Sequence, residues 1–123
     1  MFDQFKAMGA VAGLLQNKEQ LQAAVQEVKD ELESMRITGE AGGGAATAVV
    51  SGRMNVLEIR LDPSLASGLG AGDDARQQGE RLIAEAVNDA LLKAQAAAQE
   101  AITERARAMG LPDLGPQIAG MLR

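Results

Sequence analysis

"ITGEAGGGAATAVVSG", Ile37–Gly52, sets five glycines and four alanines among sixteen residues in a chain otherwise rich in helix formers. A phosphate-cradling loop would follow such glycines with Lys-Ser/Thr and the start of a helix. Here Gly42-Gly43-Gly44 lead into "AATAVV", where Thr47, Val49 and Val50 are β-branched and suit a pleated strand. The glycines are therefore read as a tight reversal between strands, with small residues where another backbone comes close.

Working outward, "NVLEIRLD" alternates with a period of two: Leu57, Ile59 and Leu61 face one way, Glu58, Arg60 and Asp62 the other. Ser51-Gly52-Arg53 lets the chain turn between this strand and the preceding one. A shorter strand near Arg36–Glu40 completes a three-stranded antiparallel sheet within residues 36–62. Pro63 ends it, since proline cannot donate to a ladder, and "ASGLGAGDD" is expected to be a loop.

Helices are expected on both sides of this sheet. Over residues 1–35, Val11, Val25 and Leu32 interleave with Leu14, Leu21, Val28 and Met35 at heptad spacing, broken only by Lys18. The seam suits either a coiled coil or an ordinary amphipathic core helix. Asp73 or Asp74 is expected to cap a second helix over 73–109, stopped by Gly110 and Pro112. Ala86, Ala90, Ala94, Ala97, Ala98 and Ala101 accompany Ile83, Val87, Leu91 and Ile102 there, so the packing face is mostly methyl groups and another backbone can approach closely. Residues 113–123 form a tail, extended or docked. The fold class is α+β: long N-terminal helix, three-stranded antiparallel sheet, long C-terminal helix.

Composition narrows the chemistry. The 123 residues suit one small domain, and the chain contains no His, Cys, Trp or Tyr. That removes the usual general base, the thiolate and the soft metal ligands. Asp73-Asp74 with Glu80, and Asp30-Glu31-Glu33, lack metal-site spacing and read as helix-terminal and solvated carboxylates. "GLGAG", Gly68–Gly72, lacks the spacing of a dinucleotide fingerprint. No enzyme, cofactor, small-molecule substrate or metal is expected. No membrane span or secretion signal is expected either, since Asp3 precedes the apolar "AMGAVAGLL" (Ala7–Leu15) and the pattern runs on into a charged helix. Seventeen acidic and twelve basic residues give a net charge of -5, the wrong sign for coating a polyanion through the mean field. With only two Phe as aromatics, base stacking is an unsuited mode.

In this order the residues resemble the YbaB/EbfC family of bacterial nucleoid-associated proteins. The resemblance rests on an opening "MF", "ITGEAGGG" (Ile37–Gly44) entering a hairpin, "IRLDPSL" (Ile59–Leu65) closing the sheet and "NDAL" (Asn88–Leu91) inside the second helix, and it covers residues 1–112 as one domain. It implies a homodimer shaped like tweezers that binds double-stranded DNA in the cytoplasm, at the nucleoid, with little sequence preference, and serves chromosome organisation or regulation. On that implication the DNA-binding residues would come from Lys6, Lys18 and Lys29 on the first helix, Lys93, Arg105 and Arg107 on the second, and Arg36, Arg53 and Arg60 beside the sheet. The dimer interface is expected at Leu57 and Ile59 of the third strand and at Val87, Ala90, Leu91 and Ala94 of the second helix. Helix, hairpin and helix with a heptad seam is also the plan of a prefoldin-like coiled-coil chaperone or adaptor, the alternative reading.

Overall fold

The computed structural model describes residues 2–109, with side chains from Lys18 onward. Elements run α1 (Phe2–Ser34), β1 (Ile37–Ala41), β2 (Ala46–Val50), β3 (Val56–Leu61), α2 (Pro63–Leu69) and α3 (Asp73–Ala108). The strands form one antiparallel sheet in the order β1-β2-β3. This is the expected α+β plan. The tail at 113–123 and the Lys6, Val11 and Leu14 side chains lie outside the described residues.

The glycine run makes the expected reversal. Gly42, Gly43 and Gly44 take φ of 64°, 67° and 96°, the left-handed region that a side chain disfavours, and Ala45 N donates to the Gly42 carbonyl at 3.4 Å. Between β2 and β3 the buried Ser51 organises the turn: its Oγ accepts from Arg53 N at 3.2 Å and Asn55 N at 3.4 Å.

One correction concerns the connection after β3. Pro63 does end the sheet, but it also starts α2, a helix where a loop was expected. Asp62 Oδ1 accepts from Leu65 N at 2.8 Å, so Asp62 is the N-cap and Pro63 sits in the first turn, where a missing N–H costs nothing. Asp73 and Asp74 are likewise not caps. They occupy the first turn of α3 after Gly72, whose carbonyl accepts from Arg76 N at 3.0 Å, and their charge still meets the positive helix end.

Two compact units divide the chain. In the unit of residues 31–101, Ala46, Ala48 and Val50 of β2 are fully buried against Ala86, Ala90 and Ala94 of α3. Spacing by four puts these alanines on one stripe of the helix, and their methyls let it lie close to the sheet. Gly39 of β1 completes the approach, its Cα facing the Ala86 and Ala90 backbone. The end of α1 is tied to the β2–β3 turn, where Gly52 N donates to the Leu32 carbonyl at 2.8 Å. In the other unit, residues 1–30 and 102–123, Ala24, Val25 and Val28 of α1 are buried with Ile102 and Ala106 of α3. The half-buried Leu21 precedes them, so this part of the heptad seam is closed within the chain.

Sheet coverage is uneven. Across one row, Gly39 pairs with Ala48 and Ala48 with Ile59, so the three share a face. Ala48 is 0% exposed and Ile59 40%. Helix α3 therefore covers β1 and β2 and leaves most of β3 open: Leu61 packs onto the core, but Val56 and Leu57 are also exposed, at 48% and 47%.

Candidate nucleic-acid interface

Charge is divided as unevenly as the sheet is covered. Residues 31–101 hold eleven acidic and six basic side chains, which accounts for the whole net charge of -5, while residues 1–30 and 102–123 hold six of each.

In the acidic unit most cations are already engaged. Arg36 donates to the Glu33 and Met35 carbonyls, both at 2.9 Å, satisfying acceptors at the end of α1, which has no basic residue in its own last turn. Arg53 pairs with Glu33 at 2.8 Å. Arg60 grips both Glu58 oxygens, at 2.7 and 3.1 Å, and these bonds hold the Glu58 carboxyl below its ordinary range. Lys93 pairs with Asp89 at 2.9 Å. Arg76 lies 3.3 Å from Asp73 and 3.6 Å from Glu80, so these two acids serve an ion-pair network on the surface of α3. Among the described residues no group of acids is arranged to hold a metal ion.

Asp89 does more than neutralise Lys93. Its Oδ2 accepts from the Glu40 backbone N–H at 3.0 Å. That N–H would otherwise be open on the outer edge of β1, so α3 closes the edge that β2 does not. The Glu40 bond foremost, and Lys93 after it, lower the Asp89 pKa.

In the helical unit Lys18 and Arg107 are exposed and Lys29 half-buried. Arg105 and Arg107 stand about 200° apart around the helix, so they face different sides. Arg105 pairs with Glu27 at 2.8 Å. Beside that pair lies a shallow groove of about 360 Å³, lined by Gln20, Ala23, Ala24 and Glu27 of α1 and by Arg105 and Met109 from the α3 end.

The interface residues expected on α3 are largely occupied by the chain itself. Ala90 and Ala94 are 0% exposed, and Val87 and Leu91 pack onto the same cluster. The methyl face expected to meet a partner is closed by the protomer's own sheet, whereas Leu57 and Ile59 stand open. Sequence reading missed two features: the Asp89–Glu40 clamp, hinted at only by the acid in "NDAL", and the Glu27–Arg105 pair, whose members are too far apart in the chain for any local pattern to join.

The model of the YbaB/EbfC DNA-binding family matches residues 8–109. The chain belongs to that family. A relative described as a nucleoid-associated protein of Pseudomonas fluorescens (strain Pf0-1) is 36% identical over 104 residues, 85% of this chain and 91% of the relative. The crystal structure of an uncharacterised protein, HP0035, from Helicobacter pylori has the same fold, with a TM-score of 0.53 at 20% identity, covering 80% of this chain and 91% of that one. Like the YbaB/EbfC resemblance read from the sequence, these matches concern DNA binding and fold. No helix among the described residues is long and apolar enough to cross a membrane.

Proposed function

We propose that this YbaB/EbfC protein is a nucleoid-associated protein that binds double-stranded DNA as a homodimer, through phosphate contacts and with little sequence preference, and that it performs no catalysis. The observation that carries this reading is the division of charge. Phosphate is repelled by the acidic sheet unit, whose Arg36, Arg53, Arg60 and Lys93 are bound to the chain's own oxygens, and is accepted at the neutral helical unit, where Lys18, Lys29 and Arg107 stand ready. Contacts from a few Lys and Arg to phosphate position a duplex without reading its bases. The family match and the name of the P. fluorescens relative support the same reading, work at the nucleoid included.

The open row on β3 supports the homodimer. Val56, Leu57 and Ile59 are large apolar side chains left exposed on an edge strand, the kind of surface that is normally covered by a partner. A second copy of β3 brings an identical surface, which a two-fold axis makes self-complementary.

Titrating unrelated duplexes of equal length at several salt concentrations tests the reading. Similar affinities that fall as salt rises are expected. No binding at low salt overturns it, and suppression of client aggregation in the same preparation would favour the chaperone alternative.

A further inference from the structure

The most exposed reading of the helical unit would make Arg105 a ready phosphate ligand, but the geometry gives it a resident anion. Glu27 Oε2 lies 2.8 Å from the Arg105 guanidinium, with the Arg105 side chain 35% and the Glu27 side chain 61% exposed. The two come from different helices, and the pair stands at the wall of the groove lined by Gln20, Ala23, Ala24 and Met109. Ala23 and Ala24 contribute only methyl groups to that groove, so space is open next to the guanidinium, and Gln20 adds an amide that can donate to an oxygen anion.

We infer that Glu27 is an intramolecular competitor for phosphate at Arg105 and thereby sets the affinity of this site for the DNA backbone. This rests on the DNA-binding reading above. A carboxylate and a phosphodiester offer the guanidinium the same thing, two oxygens on a delocalised negative charge. A duplex that engages Arg105 from the groove must therefore displace Glu27, and the free energy of the pair is subtracted from that of the contact. The displaced carboxylate, still facing the groove, then repels the arriving phosphate. Because both side chains are substantially exposed, the pair is weak enough to be exchanged in this way. Arg107, on the other side of α3, makes its contact without such competition.

The test is duplex binding at two salt concentrations by wild type, Glu27→Gln, Arg105→Gln, the Glu27→Gln/Arg105→Gln double variant and Glu19→Gln. Glu19 is an exposed acid of the same helix, and its replacement removes an equal charge without touching Arg105. Glu27→Gln is expected to bind about two- to fivefold tighter than wild type per site, the factor by which an exposed pair of this kind competes. Glu19→Gln should bind distinctly less tightly than Glu27→Gln. In the Arg105→Gln background, Glu27→Gln should bring no more than Glu19→Gln does in wild type. Melting temperatures close to wild type verify that the helices remain packed. If wild type binds DNA and Glu27→Gln gains no more than Glu19→Gln, or gains equally without Arg105, the competition is overturned while the DNA reading stands. If no variant binds at low salt, both fall.

Discussion

Gly39 and Ala90 meet backbone to backbone: a Cβ placed on Gly39 would stand 2.6 Å from the Ala90 Cα and 2.6 Å from the Ala86 carbonyl oxygen. Neither neighbour is a side chain that could swing away, so any residue but glycine must push α3 off the sheet. Gly39→Ala is expected to lose stability at or above the upper end of the ~1–3 kcal/mol typical of overpacking. Gly43→Ala is the contrast. Nothing lies within 4 Å of its added Cβ, and only the φ of 67° opposes it, so about 1 kcal/mol is expected. Urea denaturation of the two variants checks the order, and equal losses would mean that the close approach does not hold in solution.

The closed alanine face and the open β3 row lead to a prediction about assembly. Wild type should scatter light as a particle of twice the 12.8 kDa chain. Ile59→Asp places a charge where the protomer leaves 40% of the residue exposed, so the chain should still fold but scatter as a single copy. A dimer that survives Ile59→Asp would move the interface away from β3, and a monomeric wild type at micromolar concentration would remove the dimer altogether.

Much of this fold was legible because local rules and packing agree. Period two in "VLEIRL" announces a strand and alanines spaced by four in α3 a buried helix face; both elements form as expected, but only the alanine face is buried within the protomer. What the patterns do not say is which element covers a face. The alanine stripe reads equally well as meeting a partner or the protomer's own sheet, and the decision rests on Gly39, Ala48 and Ala90 coming together from three elements. Helix α2 was hidden by its own start signal, since Asp62-Pro63 reads as the end of a strand as readily as the start of a helix. The candidate site was less legible still. Any Arg or Lys reads as a free cation until its counter-ion is known, and for Arg53 and Arg105 that counter-ion lies on another element.

Asp89 provides a pH prediction. The Glu40 N–H and then Lys93 lower its pKa in the folded chain, so the ionised carboxylate favours the native state. Its contribution is fully present above the unfolded value of about 3.9 and is lost as pH falls through the lower, folded value. Asp89→Asn keeps an oxygen that can accept from Glu40 but loses the ion pair and the titration. The variant should be less stable than wild type near neutrality, with the gap closing below about pH 4. Urea midpoints measured between neutral and strongly acid pH check this, and a gap that stays constant would assign the role of Asp89 to its uncharged hydrogen bonding alone.

The distal end of α3 bears the final prediction, about how DNA is held. If contact is made by few cations to phosphate, the dependence of log K on log salt should be shallow. Two to four contacts per dimer, at about -0.9 each, give a slope between about -2 and -4. Replacing Arg105 and Arg107 together by Gln should weaken binding to unrelated duplexes equally and flatten the slope, while light scattering reports an intact dimer. Of the two, Arg107→Gln should account for more of the loss, since Arg105 already shares its charge with Glu27. Arg60→Gln is the companion measurement, because both Glu58 oxygens hold that guanidinium and little of it is available to phosphate. Its expected effect on binding is small. A double variant that binds as wild type does would remove the α3 end from the interface, and a large loss in Arg60→Gln would transfer it to the sheet.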